Sequence, residues 1–344
     1  MAVPAGRLRD ERVVRVGLVR GSLRRPELGA VVGAVAVFAF FAIESPAFPT
    51  RDGIANFLDP SSTLGLMAVP VALLMIGGEF DLSSGVTTGA AGTVTALLAV
   101  NAGWNIWPAM LVSLLFALCV GFFNGLVVVK TRLPSFIVTL GTFYILQGAD
   151  LYVTKLATNQ VLISGVETTK GFDSASAALA STIGGFQISI IYWIVATALF
   201  SWILQGTRFG NWIFAVGGSA PAARNVGVPV TATKVALFVI VSSMACLIGN
   251  IVTLRFHSAT VTSGVGLEFQ YIVAAVIGGN LLTGGYGSAV GASVGALIFG
   301  MVNQGIVLSR WDSNLFLLFL GAMLLLATLI NAYIRHTAEV VMKK

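Results

Sequence analysis

The feature that most constrains this chain is the length of its stretches without Asp, Glu, Lys or Arg. A helix needs about 20 mostly apolar residues to cross a bilayer. Most of the uncharged runs have about that length, and the two longest are about twice as long. They cover 28–43, 60–78, 82–129, 133–149, 174–207, 235–254, 269–309 and 313–334. Only 10% of all residues are charged, too few for the surface of a water-soluble domain of this size. The sequence therefore predicts an all-α polytopic membrane protein.

The two longest runs each contain a break. Asn101-Ala-Gly-Trp-Asn105 interrupts the run 82–129, and a Gly-rich stretch at 278–287 interrupts 269–309. Dividing both runs gives about ten membrane helices, some of them broken or re-entrant. The predicted helices are 28–43, 62–77, 84–100, 107–129, 134–153, 186–204, 235–253, 269–282, 288–306 and 314–334.

The basic residues predict the orientation of these helices. With ten spans, fifteen Lys and Arg residues fall on one side of the membrane and five on the other. Seven of the fifteen are arginines that precede residue 28. Because short cytoplasmic loops carry the excess of basic residues, both termini are expected in the cytoplasm. This topology accounts for the net charge of +6 without a nucleic-acid partner. The stretch 1–43 lacks an evident signal-peptide cleavage site, so an uncleaved first helix is preferred.

This topology divides the chain into a basic cytoplasmic segment (1–27), a membrane domain (28–334) and a cytoplasmic tail (335–344). Within the membrane domain, 154–185 is expected to be a long extracytoplasmic loop, either merely solvated or functional. The segment 205–234 is expected in the cytoplasm. It contains an aromatic cluster of Phe209, Trp212 and Phe214, and a short helix around Pro221–Asn225 with Ser219 as a possible N-cap. So much apolar surface beside water suggests that a partner protein covers it.

Several chemical functions are excluded by motif. None of the six lysines follows a glycine, so the chain has no phosphate-binding loop for ATP. His257 and His336 have no Cys, His or Glu cluster around them, so neither a metal site nor a hydrolytic centre is expected. Cys119 and Cys246 lie far apart in apolar runs and predict no disulfide framework. The sequence therefore predicts that the chain is not an enzyme and that it holds no cofactor or metal.

Polar residues within the apolar regions are the remaining candidates. Asp81, Ser83 and Ser84 follow the helix break at Gly77-Gly78, where they either cap the next helix or contact a solute. A second break at Gly278-Gly279 resembles the first and hints at an internal repeat. Asp150 shares a helix face with Phe143 and Gln147, a combination suited to a polyhydroxylated solute and equally to packing against another helix. Asn124, Asn303 and Gln304 are further candidates for a solute path, with hydrogen bonding between helices as the alternative.

Four ordered segments carry a family resemblance. They are GGEFDLSSG (77–85), LPSFIVTLGTFYILQG (133–148), FGNWIFAVGGSAPAARNVGVP (209–229) and GGNLLTGGYGSAVGASVGALIFGMVNQGI (278–306). Together they resemble the permease subunits of monosaccharide ABC importers of the ribose/xylose/arabinose type, and more distantly branched-chain amino-acid permeases. The resemblance runs from about residue 28 to 334.

The resemblance implies a subunit of the bacterial inner membrane that works in a larger assembly. Its partners would be a second permease chain, identical or not, two cytoplasmic ATPase subunits that carry ATP and Mg, and a periplasmic sugar-binding protein. The family's ATPase-coupling segment maps onto Gly217, Gly218, Ser219, Ala222, Ala223 and Arg224, with Ser219 in place of the usual Asn.

The resulting hypothesis is a permease that forms the path for a monosaccharide or similar small polyol. A self-contained carrier driven by protons or sodium is the alternative, although the chain offers only scattered acids and no intramembrane histidine for a proton relay. A passive channel is a third interpretation. The solute itself is left open among pentoses, hexoses, deoxy-sugars, sugar alcohols and furanosyl signals.

Overall fold

The computed structural model describes residues 26–342, so the arginines before residue 26 lie outside the described part of the chain. The described part is almost entirely helical. Its helices are α1 (Pro26–Glu44), α2 (Arg51–Ile76), α3 (Ser84–Ala96), α4 (Ile106–Thr131), α5 (Ser135–Thr158), α6 (Phe172–Leu179), α7 (Ser189–Gly206), α8 (Arg208–Asn225), α9 (Val230–Phe256), α10 (Leu267–Ile277), α11 (Ala289–Leu308) and α12 (Leu315–Met342). Four short strands are β1 (Leu162–Ser164), β2 (Thr182–Ile183), β3 (Phe186–Gln187) and β4 (Ser258–Thr260).

Each of the ten predicted membrane segments overlaps one of these helices. Among the described residues, seven helices are long and apolar enough to cross a membrane by themselves: α1, α2, α4, α5, α7, α9 and α11. The other three segments are shorter. Helix α3 ends at Ala96 and is extended by a π-helical turn over Leu97–Asn101, while α10 and the apolar stretch Leu315–Leu326 of α12 have fewer than 18 residues. An all-α polytopic membrane architecture follows.

The two largest errors in the predicted helix boundaries are at the start of α2 and at the end of α12. Helix α2 begins at Arg51 rather than at 62, because the Thr50 side chain accepts a hydrogen bond from Gly53 N (3.1 Å) and caps the helix there. Asp59, which ended the uncharged run, lies within this helix and pairs with Arg255 at 2.6 Å. Helix α12 continues to Met342, beyond the predicted end at 334. A charged residue ends an apolar run without ending the helix, since helical hydrogen bonds do not depend on polarity.

Helix α2 is the centre of the fold. Its second half, from Leu66 to Ile76, is almost completely buried, and α7, α9, α10 and α11 pack around it. Helix α9 also packs along α3 and α4, while α5 lies outside α3 and α4. Where α4 meets α9, glycines allow a close approach: a β-carbon at Gly121 would lie 2.7 Å from Phe238 O, and one at Gly125 would lie 2.8 Å from Val235 Cα. These glycines serve helix packing, as their spacing predicts.

The segment 154–185 is folded rather than a plain solvated loop. Helix α5 extends to Thr158, β1 pairs antiparallel with β4, and β2 and β3 form a hairpin. Phe172 and Ala175 of α6 are buried in one cluster with Ile106 at the start of α4. The apolar residues spaced through this Ser- and Ala-rich stretch are enough to hold it against the helices.

Candidate functional site

Most of the segment 205–234 forms one kinked helix, α8. Thr207 caps α8 by accepting a hydrogen bond from Gly210 N (3.2 Å). The helical dihedral angles are interrupted at Ser219, whose φ and ψ are −163° and 100°. Ser219 Oγ accepts a hydrogen bond from Ala222 N (3.4 Å), so the short helix at 220–225 begins where the sequence predicts it, with Ser219 as its N-cap. Pro221 favours this break because it cannot donate a helical hydrogen bond.

The aromatic residues of α8 are less exposed to solvent than the sequence analysis predicted. Phe209 and Phe214 pack on the main core and are only partly exposed, so the aromatic cluster is not an exposed patch. Beyond the kink, Ala222 and Arg224 are exposed and Val226 is 78% exposed, whereas Ala223 is buried against Val216 and Val230. The part of the segment that is open to a partner is therefore the short helix after Ser219.

An apolar groove adjoins this short helix. It has a volume of about 730 Å³ and lies between α4 and the first turns of α9, with Arg224 at its edge. Phe122 and Leu126 form one wall, and Val235 and Val239 form another.

Three Gly-Gly pairs from distant parts of the sequence meet beside α8. They are Gly77–Gly78, Gly217–Gly218 and Gly284–Gly285, and we call this arrangement the glycine joint. Gly285 N donates a hydrogen bond to Ile76 O, the last carbonyl of α2, at 2.8 Å. The sequence analysis singled out the first two pairs, but it treated them as separate features.

The two predicted helix breaks have the same geometry. At the end of α2, Gly78 has a φ of 84° and Glu79 N donates back to Leu74 O (3.1 Å). At the end of α10, Gly279 has a φ of 90° and Asn280 N donates to Ala275 O (3.2 Å). This pattern is that of a Schellman motif, which glycine favours because its backbone tolerates positive φ. The two breaks therefore share one local backbone geometry. An internal repeat that extends beyond them stays a prediction.

Asp81 holds the turn that precedes α3. Its Oδ1 accepts hydrogen bonds from Ser83 N (2.8 Å) and Ser83 Oγ (2.6 Å), and Ser84 Oγ donates to Asp81 O (2.9 Å). Asp81 is only 2% exposed, so these donors have no ready replacement from water. These bonds give Asp81 a structural role in the turn before α3. They are not the helix cap that the sequence analysis weighed against direct contact with a solute, because Ser83 is the N-cap residue and no side chain caps α3.

The network extends from Ser83 to two other helices. Asn124 of α4 donates through Nδ2 to Ser83 Oγ (2.9 Å) and accepts at Oδ1 from Thr142 Oγ1 of α5 (2.7 Å). Asn124 is completely buried, and both ends of its amide are satisfied. The sequence analysis gave hydrogen bonding between helices as the alternative to a solute path for Asn124, and these bonds are of that kind.

Helix α5 also holds the segment before α3 through side chains that the sequence analysis missed. Ser135 Oγ accepts from Phe80 N and Thr139 Oγ1 accepts from Leu82 N, both at 3.0 Å. With Thr142, these residues recur at helical spacing on one face of α5. That spacing in the sequence could have predicted a polar face on an otherwise apolar helix.

The predicted solute-path residues do not form one cluster. Phe143 packs beside Val86 and Leu146, and Asp150 accepts from Thr154 Oγ1 at 3.4 Å on the same helix, α5. Asn303 instead lies on α11, which packs against α1, α2, α7, α10 and α12, and its Oδ1 accepts from the neighbouring Gln304 (3.3 Å). Within this chain, Asn303 is therefore separate from the α5 candidates.

A pocket that the sequence analysis did not predict lies between α3, α9 and β4. Its volume is about 400 Å³, and hydroxyl groups and glycines make up much of its wall. The lining residues include Thr88, Gly89, Gly92, Thr253, Ser258, Thr260 and Ser263. Thr253 lines this pocket and is only 2% exposed. Such a wall can hydrogen-bond a small polar solute.

Ion pairs connect the ends of the helices. Glu79, in the segment after the first break, pairs with Lys234 in the first turns of α9. Both side chains are largely buried, with 8% and 18% exposed, respectively. At the other end of α9, Arg255 contacts Asp59 and also donates to Ser189 Oγ at 3.3 Å. Between residues 26 and 342, no group of three His, Cys, Asp or Glu side chains is placed to hold a metal ion.

Comparison with known proteins places this architecture in a family. The family model described as branched-chain amino acid transport system / permease component matches residues 53–328. The ribose import permease protein of Escherichia coli (strain K12) is 31% identical over 89% of this chain and 93% of its own length. The autoinducer 2 import system permease protein of Enterobacter sp. (strain 638) is 30% identical over 91% of this chain and 90% of its own length. No solved structure gives a significant match. The chain thus belongs to the family of transport-system permease components that this model describes.

Proposed function

We propose that this chain is the inner-membrane permease subunit of an ATP-driven importer for a monosaccharide or similar small polyol. The extent of the match carries this proposal, since about nine-tenths of the chain aligns with permeases named for the import of ribose and of autoinducer 2. The hydroxyl-lined pocket between α3, α9 and β4 supports a polar solute. The chain is a transport subunit rather than an enzyme, and ATP and Mg belong to a separate ATPase.

The short helix after Ser219 is the proposed docking site for that ATPase. Gly217, Gly218, Ser219, Ala222, Ala223 and Arg224 make up the coupling segment, of which Ala222 and Arg224 are exposed and Ala223 anchors the helix to the core. A periplasmic binding protein and a second permease chain complete the proposed assembly. In the proposed topology, with ten crossings and both termini in the cytoplasm, the segment lies on the side where an ATPase can reach it.

Cysteine crosslinking tests the docking site. In a Cys119→Ser background, which removes the exposed native thiol, Ala222→Cys is expected to crosslink to the ATPase subunit, with a yield that changes when ATP is added. Ile183→Cys on β2 is the matched control, because it is also exposed but belongs to the segment expected outside the cell. Equal crosslinking at both positions, or none at Ala222, would contradict the proposed docking.

Transport assays separate the importer from the alternative carrier. Proteoliposomes with the permease, ATPase and binding protein should accumulate the solute that stabilises the binding protein in a thermal-shift screen. Accumulation should require ATP and all protein components. If the permease alone accumulates the solute in response to a proton or sodium gradient, the chain is a secondary carrier.

A further inference from the structure

The glycine joint links the proposed docking segment to the core of the membrane domain. A β-carbon at Gly217 would overlap Ile76 O and lie 2.7 Å from Gly285 N. One at Gly284 would lie 2.8 Å from Gly78 Cα, and one at Gly285 would lie 2.9 Å from Gly218 Cα. The three segments therefore touch through their backbones, with no side chain between them.

The hydrogen bond inside the joint gives a partner to the last backbone carbonyl of a buried helix. The last carbonyls of a helix lack partners within that helix, and a buried one must find a partner elsewhere. Ile76 O finds it in Gly285 N, at 2.8 Å, and Gly217 lies directly against this pair. The position of α8 thus determines whether the loop 278–287 can remain bonded to the end of α2.

Contacts of this kind transmit movement efficiently. A long side chain can absorb a displacement by changing its rotamer, whereas two backbones in contact have no such freedom. Gly217 lies two residues before the kink at Ser219 and so connects the exposed short helix to Ile76. Beyond Ile76, Glu79 is paired with Lys234, and Asp81 starts the network that reaches α4 and α5.

We propose that Gly217 is a positioning residue that transmits movement of the ATPase-docking helix to the break after α2 and to the loop 278–287. The inference rests on the proposed function, because it assumes that an ATPase moves the short helix. It adds a specific route: the displacement passes through the Gly217 backbone to the bond between Ile76 and Gly285. Glycine is required there because any β-carbon would separate the backbones.

The test uses the assembled complex of permease and ATPase, with a fluorescent probe on Leu282→Cys in a Cys119→Ser background. Leu282 lies in the loop 278–287 and is 42% exposed. In the parent protein, ATP is expected to change the probe's fluorescence. Gly217→Ala should reduce this change at least fivefold while the Ala222→Cys crosslink to the ATPase persists. Gly141→Ala is the matched control, because a β-carbon there meets no atom within 4 Å, and its response should equal that of the parent.

The outcomes distinguish the inference from the proposed function. A parent-like response of assembled Gly217→Ala would overturn the role of Gly217 while leaving the importer intact. A purely structural role would instead lower yield and crosslinking together with the response. If the parent complex shows neither an Ala222 crosslink nor any response to ATP, the proposed function fails, and this inference fails with it.

A measurement without the substitution covers the case in which Gly217→Ala does not assemble. Amide hydrogen exchange is followed in the parent complex with and without ATP. ATP is expected to change protection both in the docking helix and at the Gly285 amide that bonds to Ile76. A change confined to 219–226, with 278–288 unaffected, would overturn the proposed route.

Discussion

Asp81 is the residue at which a structural and a transport role can be separated by two substitutions. Asp81→Ala removes the acceptor of two hydrogen bonds from Ser83 at a position that is 2% exposed. A buried donor left without a partner costs about 1–3 kcal/mol. The Ser83 hydroxyl can rotate toward another acceptor, but the Ser83 N–H cannot. We therefore expect Asp81→Ala to lower the free energy of unfolding by about 1–3 kcal/mol.

Asp81→Asn preserves the acceptor at Oδ1 and removes a buried charge. Because Asn can accept the same i to i+2 hydrogen bond as Asp, its expected cost is about 1 kcal/mol or less. Asp81→Asn should therefore assemble normally and retain most uptake, whereas Asp81→Ala should yield much less folded complex.

The assay combines the yield of monodisperse protein, its thermal melting and solute uptake per folded complex. Asp312→Ala is a matched control, because Asp312 Oδ1 accepts from Asn314 N in the same i to i+2 geometry (2.8 Å) but is exposed. Water can replace that bond, so the control should melt close to the parent protein. If Asp81→Asn assembles normally but abolishes uptake, a purely structural role is ruled out and Asp81 belongs to the solute path.

Three further predictions use the same measurements of yield and thermal melting. Lys234→Met should destabilise more than the double variant with Glu79→Gln, because the single change leaves a largely buried carboxylate without its partner. Asn124→Ala should cost about 1–3 kcal/mol, and Asn303→Ala clearly less, since only the first removes a completely buried bridge between helices. Gly121→Ala should lower the yield of folded protein, because its β-carbon would press on the backbone of α9. Equal effects of the two Asn substitutions, or no effect of Gly121→Ala, would contradict these contacts.

Local features of the chain were predictable because they depend on neighbouring residues. The uncharged runs predict the helices, and positive φ at Gly78 and Gly279 follows from the Gly-Gly pairs that end two of them. The kink at Ser219 was also readable, since Pro221 restricts the helix and a serine hydroxyl can cap it. The boundary errors at α2 and α12 arose because charge was used to mark helix ends, and charge does not set them.

The sequence by itself determined an all-helical membrane protein, the positions of its breaks and the family to which it belongs. Only the tertiary structure decided which of these parts meet. Glu79 and Lys234 are 155 residues apart, and Ile76 binds Gly285 through backbone atoms that carry no side-chain signal. Likewise, Asn124 and Asn303 are the same residue type on apolar helices, yet one bridges two helices and the other bonds to its neighbour. An apolar run shows that a helix is buried in membrane or protein, but the packing of all the helices selects its neighbours.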